Sequence, residues 1–393
     1  MLDSQCSMSQ SRMEQIQTPI IPLVGELIAK NPGTISLGQG VVSYAPPQRS
    51  LTALQEFWQD SQQHKYQPVV GIPQLREAIA TKLQRDNQIL IGTENAVVVT
   101  AGSNMAFLNA ILAITQPEDE IILNTPYYFN HEMAIAMINC RPVLVPTDAN
   151  YQPRLEALAQ AITPKTRAIV TISPNNPTGV VYPRETLLAI NQLCREAGIY
   201  HISDEAYEYF TYDGVAHVSP GSFPASQGHT ISLFSLSKSY GFASWRIGYM
   251  VIPQRLLLAI QKVQDTNLIC PPVISQHAAT GALTANPDYF TTNIGEIAKV
   301  RGIVREQFKQ LPESCQVTSA EGAFYFFIKV ATELSDLELV TKLIEQYKVA
   351  VIPGSTFGLT SGCYLRVAYG ALTESNARAG VSRLIQGLSE LTG

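Results

Sequence analysis

From about Leu51 onward, helical patterns alternate with short apolar, β-branched runs, and this alternation limits what the chain can fold into more than any other feature. Leu75, Ile79 and Leu83 recur at helical spacing behind Pro73, a residue suited to a first helical turn. A-V-V-V-T at 96–100 reads as a strand. It is followed by a helix from about Asn104 to Thr115, a strand in E-I-I-L-N, a helix across 129–139 and a strand in P-V-L-V-P. R-A-I-V-T-I-S (167–173) and I-Y-H-I-S-D (199–204) flank a helix that Pro183 and Arg184 open and Gly198 follows. T-I-S-L-F-S (230–235) and R-I-G-Y-M-V-I-P (246–253) supply two more strands. Strand, crossover helix and strand in repetition predict an α/β fold with a mostly parallel central sheet flanked by helices. After about 285 the rhythm changes: a long helical stretch to about Gln310, then F-Y-F-F-I-K-V, a helix at 334–347 and Y-L-R-V-A-Y. That pattern predicts a smaller α+β domain.

Composition narrows the function classes. The 393 residues are 46% apolar, enough for a large core and more than one domain. A net charge of -5 with no basic stripe argues against nucleic acid and anionic membrane as partners, so any bound anion must be met by local residues. The six cysteines, at 6, 140, 194, 270, 315 and 363, form no C-x-x-C pair and no zinc-like spacing, and read as reduced thiols. His64, His131, His201, His217, His229 and His277 likewise lack metal spacing and read as packing or surface residues, so no metal is expected. The N-terminus has no apolar leader region and no run of apolar residues is long enough to span a bilayer, which predicts a cytoplasmic protein without a membrane partner. H-E-x-x-H, G-x-S-x-G and phosphate-loop signatures are missing. G-Q-G-V-V-S at 38–43 half-matches a dinucleotide fingerprint, but Ser43 replaces the last glycine, and a tight turn is favoured.

The most informative segment is S-L-S-K-S-Y-G-F-A-S-W-R-I-G, 235–248, which places hydroxyls, one lysine and one arginine in a loop behind an apolar strand. Desolvation and neighbouring cations there would lower the Lys238 pKa from its ordinary value of about 10.4 toward the range where the amine is a nucleophile. Ser235, Ser237 and Arg246 are suited to a phosphate, the arginine bidentately. With these residues the chain resembles the class I and II aminotransferases of the aspartate aminotransferase superfamily, fold-type I pyridoxal-phosphate enzymes, over nearly its whole length. The resemblance implies that Lys238 carries pyridoxal 5'-phosphate as a Schiff base and that Ser235 and Arg246 bind its phosphate. Ser244 stands where many members have Gly or Asn, a departure that bears on the shape of the loop.

The same resemblance gives roles to other segments. In I-S-D-E-A-Y, Asp204 would pair with the ring nitrogen, and Tyr207 together with Asn176 of S-P-N-N-P-T-G would hydrogen-bond the ring 3-oxygen. Taken singly, Asp204 also suits a helix cap and N-N-P-T-G an ordinary turn. Gly102, Ser103 and Asn104 resemble the phosphate cup at a helix start, with Ser103 as a simple N-cap the alternative. N-T-P-Y-Y-F-N-H resembles the segment whose aromatic ring stacks on the pyridine face; its register points to Tyr128 over Tyr127, with core packing open for either. Arg366 in Y-L-R-V-A-Y would fork onto the substrate α-carboxylate, although spacing alone also allows a surface arginine. Gly40 would leave backbone room for substrate, with Tyr44 or Val42 facing its side chain, and Tyr66 would reach the cofactor phosphate of a partner subunit in a homodimer.

The implied architecture is a large cofactor-binding domain at 46–285 and a small domain built from 1–45, with its N-terminal arm, and 286–393. The implied reaction moves an amino group from an L-amino acid to a 2-oxo acid such as 2-oxoglutarate by a ping-pong route. A β-lyase or cyclase of amino acids on the same fold is the alternative, and a non-catalytic cofactor-binding regulatory domain a more distant one. Aromatic residues near the cup point toward an apolar or aromatic donor, with aspartate and glutamate open.

Overall fold

The computed structural model describes residues 11–285 and 288–392. Cys6 and the first ten residues of the segment read for a leader lie outside the described residues, as do 286–287 at the expected domain boundary.

Seven strands form the main sheet: β1 (Asn95–Thr100), β2 (Glu120–Thr125), β3 (Arg141–Pro146), β4 (Thr166–Ile172), β5 (Tyr200–Asp204), β6 (Thr230–Ser235) and β7 (Gly248–Pro253). Their spatial order is β1-β7-β6-β5-β4-β2-β3. All pairs are parallel except those of β7, which runs antiparallel to both β1 and β6. The sequence expectation of a mostly parallel sheet is met. The reversal at β7 follows from its connection: no helix between Ser235 and Gly248 carries the chain back across the sheet, so the next strand returns alongside.

Burial on both faces explains the continuous apolar runs. In β1, Ala96 and Val98 join Ile121, Leu123 and Val170 on one side, while Val97 and Val99 join Leu75, Phe234 and Tyr249 on the other. Each fully buried aliphatic side chain of this kind contributes about 1.5–3 kcal/mol. Helix α1 (Ile20–Lys30) packs against the C-terminal part, and the helices covering the main sheet include α2 (Ser103–Ile114), α3 (Phe129–Met137) and α4 (Arg184–Ala197), the last ending at Gly198 as expected.

The C-terminal part has α5 (Asp288–Gln307), β8 (Tyr325–Val330), α6 (Asp336–Tyr347), β9 (Cys363–Ala368) and α7 (Glu374–Thr392). Strands β8 and β9 pair antiparallel, with Phe327 opposite Arg366 and Tyr325 opposite Ala368, and short strands at Cys315–Val317 and Ile352–Pro353 extend the sheet to four. A capping box starts α6: Ser335 accepts from the Glu338 N–H and Glu338 accepts from the Ser335 N–H. The N-terminal segment joins here too, since Ile35–Ser36 pairs in parallel with Val349–Ala350. One core cluster contains Leu37, Phe324, Phe326 and Leu343 together with Tyr207 and Phe210 from behind β5, so the small sheet is packed against the carboxyl edge of the large one.

Candidate active site

The loops at the carboxyl ends of the parallel strands converge on one cavity, the edge at which open α/β sheets bind ligands. β1 leads through Gly102 into α2, β2 is followed by Tyr128, β4 by Asn176, β5 ends on Asp204, and β6 ends on Ser235 before Lys238. Closed from the other side by Gln39, Gly40, Val41, Tyr325, Arg366 and Ile21 of α1, the cavity measures about 290 Å³. That volume suits a small cofactor with its substrate.

At one end the first turn of α2 is exposed to the cavity. Its cap is Gly102, at φ +84°, and no side chain caps the helix. Ser103 is therefore the first helical residue and not the cap, so the N–H groups of that turn stay available to an anion. A Cβ on Gly102 would sit 2.4 Å from Arg246 Nη2. Arg246 Nη1 donates to the Ala243 carbonyl at 2.9 Å and Nη2 approaches the Ala101 carbonyl at 3.4 Å. The loop around Ser244 takes its shape from Arg246 itself, held at φ +55°, a conformation that costs a non-glycine residue roughly 1–2 kcal/mol. Ser235 and Ser237 line the same end, where the Ser237 N–H donates to Ser235 Oγ at 3.2 Å.

At the centre, the buried Asp204 carboxylate is held twice: Oδ2 lies 3.1 Å from His131 Nε2, and Oδ1 accepts the Ala206 N–H at 3.1 Å. The His131 ring stacks on Phe107 with centroids 4.1 Å apart, and its Nδ1 has no partner, so the tautomer protonated on Nε2 is the one that donates to the carboxylate. Tyr207 shares a 2.7 Å hydrogen bond with Tyr325 and accepts a long one, 3.5 Å, from Asn176. Burial pushes the Tyr207 hydroxyl well above its ordinary pKa. Lys238 faces the cavity, so part of its side chain is accessible, but its amine lies deep below the outer surface and donates to the Gly40 carbonyl. Burial first, then the Arg366 and Arg246 cations, lower its pKa to about 8.

At the far end Arg366 is 2% exposed, which removes the surface-arginine alternative. Nη1 donates to Asn176 Oδ1 at 2.9 Å and Nη2 to the Gly38 carbonyl at 2.7 Å, while Nε has no partner. The guanidinium lies 4.6 Å from the Tyr325 ring centroid and 5.2 Å from that of Phe357.

Of the residues nominated from sequence to hold cofactor or substrate, Gly40, Ser103, Asn104, Tyr128, Asn176, Asp204, Tyr207, Ser235, Lys238, Arg246 and Arg366 line the cavity, and Gly102 caps the helix that does. Tyr66 is outside it and 79% exposed. Tyr128 is in the wall, whereas Tyr127 belongs to the core of the main sheet. Neither Tyr44 nor Val42 faces the cavity: Gln39 and Val41 do, and the Tyr44 hydroxyl donates to the Lys238 carbonyl at 3.1 Å.

The family model for aminotransferase class I and II matches residues 32–384. An aromatic aminotransferase of Arabidopsis thaliana is 35% identical over 95% of the chain and 94% of its own length. A probable aspartate/prephenate aminotransferase of Aquifex aeolicus is 36% identical over 93% and 94%. Among solved structures, a Thermus thermophilus aspartate aminotransferase mutant superposes with a TM-score of 0.88 at 30% identity, over 97% of this chain and all of that one. The chain belongs to the class I and II aminotransferases.

Besides Gln39 and Val41, this aminotransferase has two residues at the centre of the site that the sequence does not mark, His131 and Tyr325. His131, read as packing or surface, is bonded to Asp204; its signal was its place three residues after Tyr128, one turn into α3 and thus on the same helical face. In the apolar strand F-Y-F-F-I-K-V nothing marks which ring turns toward a cavity, and Tyr325 is the one that does. Aminotransferases of this family are pyridoxal-phosphate-dependent, and they move amino groups between amino acids and 2-oxo acids. Among the described residues no helix is long and apolar enough to cross a membrane.

Proposed function

We propose that the cavity of this aminotransferase binds pyridoxal 5'-phosphate with Lys238 as its covalent anchor, and transfers the amino group of an L-amino acid to 2-oxoglutarate or a related 2-oxo acid. The observation that carries this reading is Lys238 itself, an amine with its pKa lowered to about 8, placed between the buried Asp204 carboxylate and the buried Arg366 guanidinium. The chain's donor set fits the cofactor: an uncapped helix turn with Ser235, Ser237 and Arg246 for a phosphate, a fixed carboxylate for a pyridinium nitrogen, and hydroxyl and amide groups between them.

When bound, pyridoxal phosphate supplies a ring that accepts the electron pair left as the substrate's α-carbon loses its proton. Asp204, fixed by His131 and the Ala206 N–H, holds a proton on the ring nitrogen. Tyr207 and Asn176 donate toward the ring 3-oxygen, and Tyr128 covers the ring face. Gly102, Ser103, Asn104, Ser235 and Arg246 hold the phosphate. Arg366 binds the α-carboxylate, with its unpaired Nε available for one more hydrogen bond, and Gly40 borders the same space. With the cofactor bound and the amine free of it, Lys238 Nζ would be the base placed to take the substrate's α-proton and the acid that gives it back. Its lowered pKa keeps a useful fraction of the amine unprotonated near neutral pH.

The exposed Tyr66 supports a homodimer in which this residue reaches the partner subunit's phosphate. Positions 46–285 form the cofactor-bearing domain in this reading, with 1–45 and 286–393 as the small domain, and the free cysteines at 140, 194, 270, 315 and 363 suit the cytoplasm. The test is a panel of amino donors with 2-oxoglutarate. Acceptor-dependent turnover with no ammonia release is the expected result; ammonia and pyruvate release without need of an acceptor would replace transfer by elimination.

A further inference from the structure

Tyr325 touches both halves of the site yet has no part in the chemistry above. Fully buried on β8, opposite Ala368 of β9, it places its ring 4.6 Å from the Arg366 guanidinium and its hydroxyl 2.7 Å from that of Tyr207. We propose that Tyr325 is a positioning residue that ties the carboxylate-binding end of the site to its centre, its ring serving as a platform for Arg366 and its hydroxyl donating to Tyr207. The proposal rests on the cavity being a pyridoxal-phosphate site.

The direction of the hydrogen bond follows from hydrogen counting and acidity. Tyr207 has one proton, and spending it on Tyr325 would leave nothing for the ring 3-oxygen. The groups facing the pair are Arg366 from β9, Tyr128 from the start of α3, and Asn176 after β4. Burial raises both phenols, but the Arg366 guanidinium lies 4.6 Å from the Tyr325 ring centroid, and a cation beside that ring makes its proton the easier one to share. The more acidic hydroxyl is the better donor. Tyr325 therefore gives its proton to Tyr207, and Tyr207 is polarised to give its own to the cavity. Space for this hydroxyl depends on Gly40, where a Cβ would sit 2.6 Å from it.

Two substitutions in the holoenzyme separate ring from hydroxyl. The readouts are the pH midpoint of the bound cofactor's long-wavelength absorbance and the dissociation constants of two unreactive carboxylates, maleate and 3-phenylpropionate. In Tyr325→Phe the midpoint is expected to rise by roughly half to one pH unit, because a weaker donor at the 3-oxygen leaves the neighbouring imine nitrogen more basic. Carboxylate affinity should stay within about twofold, since the ring remains under Arg366. Tyr325→Leu should show the same midpoint shift and bind the carboxylate that the wild type accepts roughly fivefold more weakly. A Phe variant whose midpoint moves by less than about 0.2 unit, or a Leu variant with full carboxylate affinity, would overturn the proposal. A wild-type protein with no such absorbance band would overturn the cofactor reading beneath it.

Discussion

At the residue scale the site depends on a few side chains whose surroundings set their chemistry. Lys238 has a folded pKa near 8, below that of a free lysine. In the apoprotein its reaction with added pyridoxal phosphate should therefore speed up with pH and level off above about 8; levelling only near pH 10 would show an amine as exposed as any surface lysine. The same depression makes the unfolded chain bind more protons between about pH 8 and 10.5, so this group's penalty is fully felt below pH 8 and fades as pH rises through that window. Asp204→Ala should retain part of its cofactor affinity while kcat falls by about a hundredfold or more. His131→Phe keeps the stack on Phe107 but removes the donor to Asp204, and a loss of roughly fivefold to tenfold in kcat is expected; unchanged turnover would reduce His131 to a packing residue. Lys238 and Arg246 stood out in the polar loop behind an apolar strand, whereas Asp204 gained a role only through the family resemblance, since by itself it also suited a helix cap. Arg366 and Tyr325 were not legible from spacing, because the side of a strand that faces a cavity is decided by packing between two sheets.

At the element scale, strands and helices were readable wherever length and punctuation agreed. Pro183 and Gly198 bracket α4, and the five-to-eight-residue strand-like runs match β1 to β7 within about two residues, the usual uncertainty at element ends. What escaped were the two-residue strands at Ile35–Ser36, Val349–Ala350 and Ile352–Pro353 and the three-residue one at Cys315–Val317, too short for any period to show. The antiparallel β7 escaped too, because a loop without a helix does not announce its direction. The start of α2 leaves its first-turn N–H groups without a side-chain cap beside the cavity, which suits the proposed phosphate. Gly102→Ala would place a methyl group against Arg246 at a left-handed backbone position, and cofactor affinity should fall at least tenfold with little change in the far-ultraviolet circular dichroism. By contrast Ser335→Ala removes a true capping box from α6 and should cost about 1 kcal/mol in denaturant unfolding without touching kcat.

At the scale of the whole molecule, one cavity is assembled from the carboxyl edge of the main sheet, the N-terminal segment and the small sheet, so cofactor binding and the packing of both parts are linked. The fold class was legible in the alternation of strand and helix, and the family in the loop after β6, but the closure of the cavity by Gln39, Gly40 and Val41 was not, since it needs the parallel pairing of Ile35–Ser36 with Val349–Ala350. Sedimentation at micromolar concentration is expected to give twice the 43.0 kDa chain mass, and Tyr66→Phe to weaken cofactor binding severalfold in the dimer. The most direct test of the site is chemical: reduce the holoenzyme with borohydride, digest it, and locate the modified lysine by mass. Pyridoxyl phosphate on Lys238 alone, lost together with transamination in Lys238→Ala, is the expected result; label on another lysine, or a Lys238→Ala protein that stays yellow and fully active, would contradict it.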